Sequence, residues 1–185
     1  MNMKKMSEVL SLALCVALLP PIWAVLAPHL NVKTGAVALI CAGLYVAKGN
    51  KKEDAGKITK GFLCGDVWAV IALKFMAAVS WQEDVKLFVT LFVLGGLAVI
   101  ISGIWSRWIY TASWLCGWAI GLTILGEVDA DAVLPYAVQI AVAMLVGVWY
   151  VGVFADYVQR KILEHINDNE ECRKVNGREN RYRGR

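Results

Sequence analysis

Two ionisable side chains stand inside an apolar run. Gly61 to Ser80 reads GFLCGDVWAVIALKFMAAVS, close to the length of a bilayer-spanning helix, and carries Asp66 and Lys74. Each charge costs about 2.5–3.5 kcal/mol at the membrane centre. The eight Leu, Ile, Val and Phe residues of the run return about 0.3–0.6 kcal/mol each, so the sum is near break-even. Such a helix needs protein neighbours. Asp66 is a candidate proton or cation site, because intramembrane carboxylates are costly and rare. The plainer reading is an Asp near a helix N-terminus, where dipole and water accommodate it. Lys74 could meet an anionic solute or a carboxylate on another helix, or snorkel outward along its own stem. The two are eight residues apart, about 12 Å along one helix, and cannot pair with each other.

The remaining chemistry is sparse. Trp23, Trp68, Trp114, Trp118 and Trp149 fall deep in apolar segments, whereas Trp81, Trp105 and Trp108 fall at expected interfaces. Trp23, Trp68 and Trp149 are candidates, with Asp66 and Lys74, for a substrate or ion pathway, set against a plain space-filling role. Gly61-xxx-Gly65 and Gly117-xxx-Gly121 are expected helix-packing motifs. His29 and the acids Glu127, Asp129 and Asp131 read as solvated turn residues, and no chemistry follows from Asp156. The five cysteines, four of them in apolar runs, read as small packing residues without disulfides. No phosphate loop, metal-ligand cluster or enzyme motif is visible, so no enzyme activity, metal or cofactor is expected. The mixed charges of the C-terminal tail argue against nucleic acid.

The elements that must position these residues are helices. The chain has 185 residues, 58% of them hydrophobic, with the excess gathered in long runs. An all-α polytopic bundle of six transmembrane spans is expected. The spans run from about Ser7 to Leu26, Val32 to Ala47, Gly61 to Ser80, Val85 to Trp105, Trp108 to Gly126 and Ala132 to Tyr157. Pro20 and Pro21 should break the first near Leu18. The Lys4-Lys5 start resembles a signal peptide but reads as part of a retained first span. Lys48 to Lys60 reads as a polar loop. Residues 1–158 form the membrane domain, and 159–185 a charged tail, helical at first and then disordered. Lys4, Lys5, the Lys48–Lys60 segment, Arg107 and the tail share one side, and the acidic turns the other. The positive-inside rule then makes both termini cytoplasmic. Three plus three helices suggest two inverted repeats, with Thr34 set against Thr111 and Trp68 against Trp149, although these offsets differ.

Ile22-Trp23, Gly65-Asp66-Val67-Trp68-Ala69 and Val133-Leu134-Pro135 resemble the YcdZ-like family of small bacterial inner-membrane proteins, a domain-of-unknown-function family, over about Ser7 to Tyr157. The resemblance implies a multi-span helical protein of the bacterial inner membrane and carries no substrate or catalytic residue. Two functions remain open. One is a channel or secondary transporter for an unknown small solute, as a homodimer, with Asp66 coupled to a proton or cation. The other is a non-catalytic scaffold or accessory subunit that docks a partner through its cytoplasmic tail.

Overall fold

The computed structural model describes residues 18–30 and 32–165, and these are helical throughout apart from turns. Helix α1 is Leu18–His29. It is followed by α2 (Val37–Ala47), α3 (Lys52–Ala78), α4 (Glu83–Ile104) and α5 (Thr111–Leu125). A 3₁₀ turn at Ala130–Ala132 leads into α6 (Val133–Val146), which widens into a π-helical segment at Gly147–Phe154 and continues helically to residue 165. Three helical stretches are long and apolar enough to cross a membrane: Lys52–Ala78, Glu83–Ile104 and Ala130–His165. The others, α1, α2 and α5, are apolar but shorter. The protein is all-α and membrane-embedded.

Several boundaries differ from the sequence expectation. The polar stretch Lys48–Lys60 is not a loop. From Lys52 onward it is the first turns of α3, because Lys, Glu and Ala favour helix. Glu53 and Asp54 sit in the positive first turn, and Lys57 lies 3.4 Å from Asp54 one turn on. The connection itself is short: Gly49 (φ 103°) and Asn50 (φ 54°) end α2 in the left-handed region. Helix α2 begins at Val37 rather than Val32, after a turn closed by Val32 N–H donating to Ala27 O (2.9 Å). Helix α1 is helical across Pro20 and Pro21, which occupy its first described turn. The break expected near Leu18, with the Lys4-Lys5 segment, Cys15, Cys172 and most of the tail, lies at or outside the edge of the described residues.

Contacts fix how the helices run. As α3 passes through Gly61, Gly65 and Ala69, the residues facing it on α5 are Ser113, then Trp114 to Trp118, then Gly121, so α3 and α5 are parallel. In the same way Ala38, Cys41 and Tyr45 of α2 meet Gly147 and then Gly152, so α2 and α6 are parallel. Trp68 reaches Leu94, and Lys60, eight residues earlier on α3, lies over Trp108 just past the end of α4, so α3 and α4 are antiparallel. One end of the bundle therefore gathers the α2–α3 turn, the α4–α5 turn and the end of α6. There Lys48 lies 4.6 Å over the Tyr110 ring, Lys60 lies 4.8 Å over Trp108, and Arg160 donates to Asn50 O (3.2 Å). At the opposite end Lys33 N–H donates to Gln139 Oε1 (3.2 Å), joining the α1–α2 turn to the start of α6.

The buried surface recurs between the halves. A shift of 76 residues carries the buried face of α2 (Val37, Ala38, Cys41, Ala42, Tyr45) onto Ser113, Trp114, Gly117, Trp118 and Gly121, all buried on α5. A shift of 82 carries Ala55, Ile58, Gly61, Phe62, Gly65, Asp66 and Ala69 of α3 onto Ala137, Ile140, Ala143, Met144, Gly147, Val148 and Val151, all buried. A shift of 75 carries Trp23 and Ala27 of α1 onto Ala98 and Ser102 of α4. The contacts recur as well. A Cβ on Gly65 would collide with Trp114 O and the backbone of Gly117. On Gly147 it would collide with Ala38 O and Cys41 Cβ, their counterparts. Ala27 packs on Gly35 in the first half, and Ser102 donates to Thr111 Oγ1 (2.9 Å) at the corresponding place in the second.

Candidate functional site

The seam between α3 and α5 is built by absent side chains. A Cβ on Gly117 would sit 2.5 Å from Phe62 O, and one on Gly121 would sit 2.5 Å from Ala69 Cβ. Only hydrogen fits, so the backbones approach as small-xxx-small packing allows. Both expected glycine motifs thus lie in the same seam, facing each other. Ser113 closes its basic end, donating from Oγ to Tyr110 O (2.7 Å) beside Gly61.

Asp66 lies in this seam. It is 5% exposed, and its Oδ1 has no hydrogen-bond partner among the described residues. Gly121 faces it: a Cβ there would come 3.5 Å from Oδ1 and 3.7 Å from the Asp66 Cα. Because α3 begins at Lys52, Asp66 is fourteen residues along a 27-residue helix, about 21 Å from its start. The N-terminal dipole acts within the first turn, so it does not account for this carboxyl. The shorter helix expected from Gly61 had placed Asp66 near an end; its true place is the middle. On the recurring face its counterpart is Val148. An acceptor oxygen in an apolar seam, with a glycine opposite, can take a proton or a small cation.

The other candidate residues are dispersed, and each of the three tryptophans is held by its own structural partner. The indole N–H of Trp23 donates to Gly35 O (3.1 Å), fastening α1 to the start of α2. That of Trp68 donates to Leu94 O (3.0 Å), and its ring meets Trp114 edge-on at 5.4 Å, fastening α3 to α4 and α5. Trp149 is 43% exposed and donates to Thr59 Oγ1 (3.1 Å), joining the π segment to α3. Lys74 is exposed four residues before the end of α3, a position from which its stem reaches the interface.

Two residues outside the expected set lend the seam their backbones: Trp114 O and the Trp118 amide lie against Gly65, while the Trp118 ring packs by Gly95 of α4 and the Trp114 ring meets Trp68. Trp114 and Trp118 are buried, and the Nε1 of each has no partner among the described residues. Their four-residue spacing beside Gly117 and Gly121 puts them on the same side of α5, a signal present in the sequence. A cavity of about 800 Å³ opens at the basic end, lined by Lys51, Lys52, Glu53, Trp149, Asp156 and Arg160 among others; Asp66 is not in its wall. Among the described residues, no three His, Cys, Asp or Glu side chains converge as metal ligands would.

Comparison with known proteins gives one match. A family model described as "Protein of unknown function (DUF1097)" covers residues 13–159. No curated protein and no solved structure matches the chain.

Proposed function

The chain belongs to the DUF1097 family, and on that premise we propose a small bacterial inner-membrane channel or secondary transporter in which Asp66 binds the coupling proton or cation. The observation that carries this reading is the unpartnered carboxyl at mid-length of α3, in the seam with α5. An apolar residue, Val148, serves the equivalent position of the other half, so the seam itself does not require a carboxyl. The reading takes all six helices as spans, arranged as two three-helix repeats inverted in the membrane, an architecture that places sites near the midplane. The end bearing Lys48, Lys60, Arg107 and Arg160 faces the cytoplasm, with both termini, by the positive-inside rule. Placement of the chain with YcdZ-like proteins belongs to the same proposal, as does the absence of enzyme activity.

The test is chemical. Dicyclohexylcarbodiimide modifies protonated carboxyls in apolar surroundings. Applied to the full chain in detergent, it should label Asp66, as read by mass spectrometry of peptides. Labelling should be absent from Asp66→Asn and should slow as pH rises or as the coupling cation is added, with Na⁺, K⁺ and Li⁺ as probes. Wild-type protein left unlabelled from acid to neutral pH would sink the proposal.

One observation favours a second reading, a membrane scaffold. Trp23, Trp68 and Trp149 all give their N–H groups to protein acceptors, which suits structural anchors better than a lined path. Under that reading, removal of Cys172 to Arg185 abolishes function in the host and Asp66→Asn does not.

A further inference from the structure

We propose that the flank of α3 between Lys60 and Ile71 is a binding groove for an anionic glycerophospholipid. Lys60, Cys64, Val67 and Ile71 recur at spacings of four, three and four residues, one stripe of the helix. Two hollows meet along it at Cys64. The upper, about 440 Å³, is walled by Lys60, Trp105, Trp108 and Ile109. The lower, about 310 Å³, is walled by apolar side chains including Val67, Trp68, Ile71 and Trp114. The polarity is graded along the groove. Its mouth lies at the basic end, where the Lys60 ammonium sits 4.8 Å over Trp108, Arg107 is the neighbouring residue, and Trp105 and Trp108 are each 59% exposed. Below Lys60 the walls carry no charge, and the Trp68 N–H is already given to Leu94 O.

This is the profile of one phospholipid. A cation and interfacial indoles meet a phosphate-bearing head, and an apolar furrow takes an acyl chain. The eleven steps from Lys60 to Ile71 rise about 16 Å, roughly half the 30 Å hydrocarbon thickness, so the furrow spans one leaflet. Charge complementarity selects an anionic head over a zwitterionic one, and the cationic mouth places that head on the basic side. The inference is independent of transport, since Asp66 lies in the seam behind this flank.

Native mass spectrometry tests it. The full chain in detergent is given equal amounts of phosphatidylglycerol and phosphatidylethanolamine. The expected result is retention of phosphatidylglycerol over phosphatidylethanolamine by about tenfold. Lys60→Gln should reduce that preference to near parity while leaving total lipid bound. Val67→Trp, at a position open to lipid, should fill the furrow and reduce both adducts, and it serves alone should Lys60→Gln fold poorly. Equal retention of the two lipids, a preference unchanged in Lys60→Gln, or adducts undiminished in Val67→Trp would overturn the proposal. So would displacement of the lipid by soluble glycerol phosphate at equal concentration, which would leave the furrow no part, or a bare dimer.

Discussion

Asp66 on α3 faces Gly121 on α5 across a seam in which its Oδ1 has no protein partner, and a Cβ on that glycine would lie 3.5 Å from the oxygen. An unsatisfied buried acceptor is destabilising by about 1–3 kcal/mol. Asp66→Val, the residue its counterpart Val148 already supplies, should therefore raise the unfolding temperature in detergent, followed by circular dichroism, while abolishing carbodiimide labelling. A lower unfolding temperature would show that the carboxyl holds the seam together.

The glycine seam makes a graded prediction. Gly65→Ala drives a methyl group into Trp114 O and the Trp118 amide, both backbone, and should cost about 1–3 kcal/mol as overpacking does. Gly96→Ala meets nothing within 4 Å, and should be neutral or stabilise by up to about 1 kcal/mol. Reversible unfolding in mixed micelles reads both. Equal effects would mean that the two helices do not approach as closely as the backbone distances require.

Indole anchoring can be separated from pathway lining. In a double-mutant cycle with Trp149→Phe and Thr59→Val, the coupling should be about 0.5–1.5 kcal/mol, the net worth of their 3.1 Å hydrogen bond. Additive effects would leave the Trp149 N–H free for another partner.

The basic end supplies a topological prediction. With Arg107→Cys and Glu127→Cys made separately, a membrane-impermeant maleimide applied to intact cells should label position 127 and spare 107. The reverse pattern would turn the bundle over.

The helical class and the number of helices were legible because long apolar runs leave little choice of structure. Lys48–Lys60 misled because polarity was taken for a loop, whereas Lys52 to Lys60 keep helical propensity as α3 extends past the apolar run. The same nine residues hid the place of Asp66 at mid-length of α3. The internal repeat was legible only in outline. Trp68 and Trp149 stand 81 apart and Thr34 and Thr111 stand 77 apart, each one residue off the shifts of 82 and 76 that superpose the buried faces. What recurs is burial at a position, not residue type: Ala38 answers to Trp114, and Tyr45 to Gly121. Rare residues were poor markers for that reason. Asp66 and both glycine motifs could be named from the sequence; that the motifs share one seam with Asp66 required the parallel run of α3 and α5.

The wide turn at Gly147–Phe154 has a geometric consequence. The buried faces of α3 and α6 keep step as far as Ala69 and Val151. The next buried residue of α3, Ala72, corresponds to Phe154, which is exposed, and Ala155 is buried in its place. One residue has been absorbed, as a π-bulge absorbs it. Each residue of an α-helix turns the chain by about 100°, so everything beyond the bulge is out of phase with α3 by that angle. The bulge thus works as a screw adjustment on the helix beyond it, Ala155 to His165. It sets the direction from which Arg160, paired with Asp156 at 3.0 Å, meets the carbonyl of Asn50 and latches the end of α6 to the turn after α2.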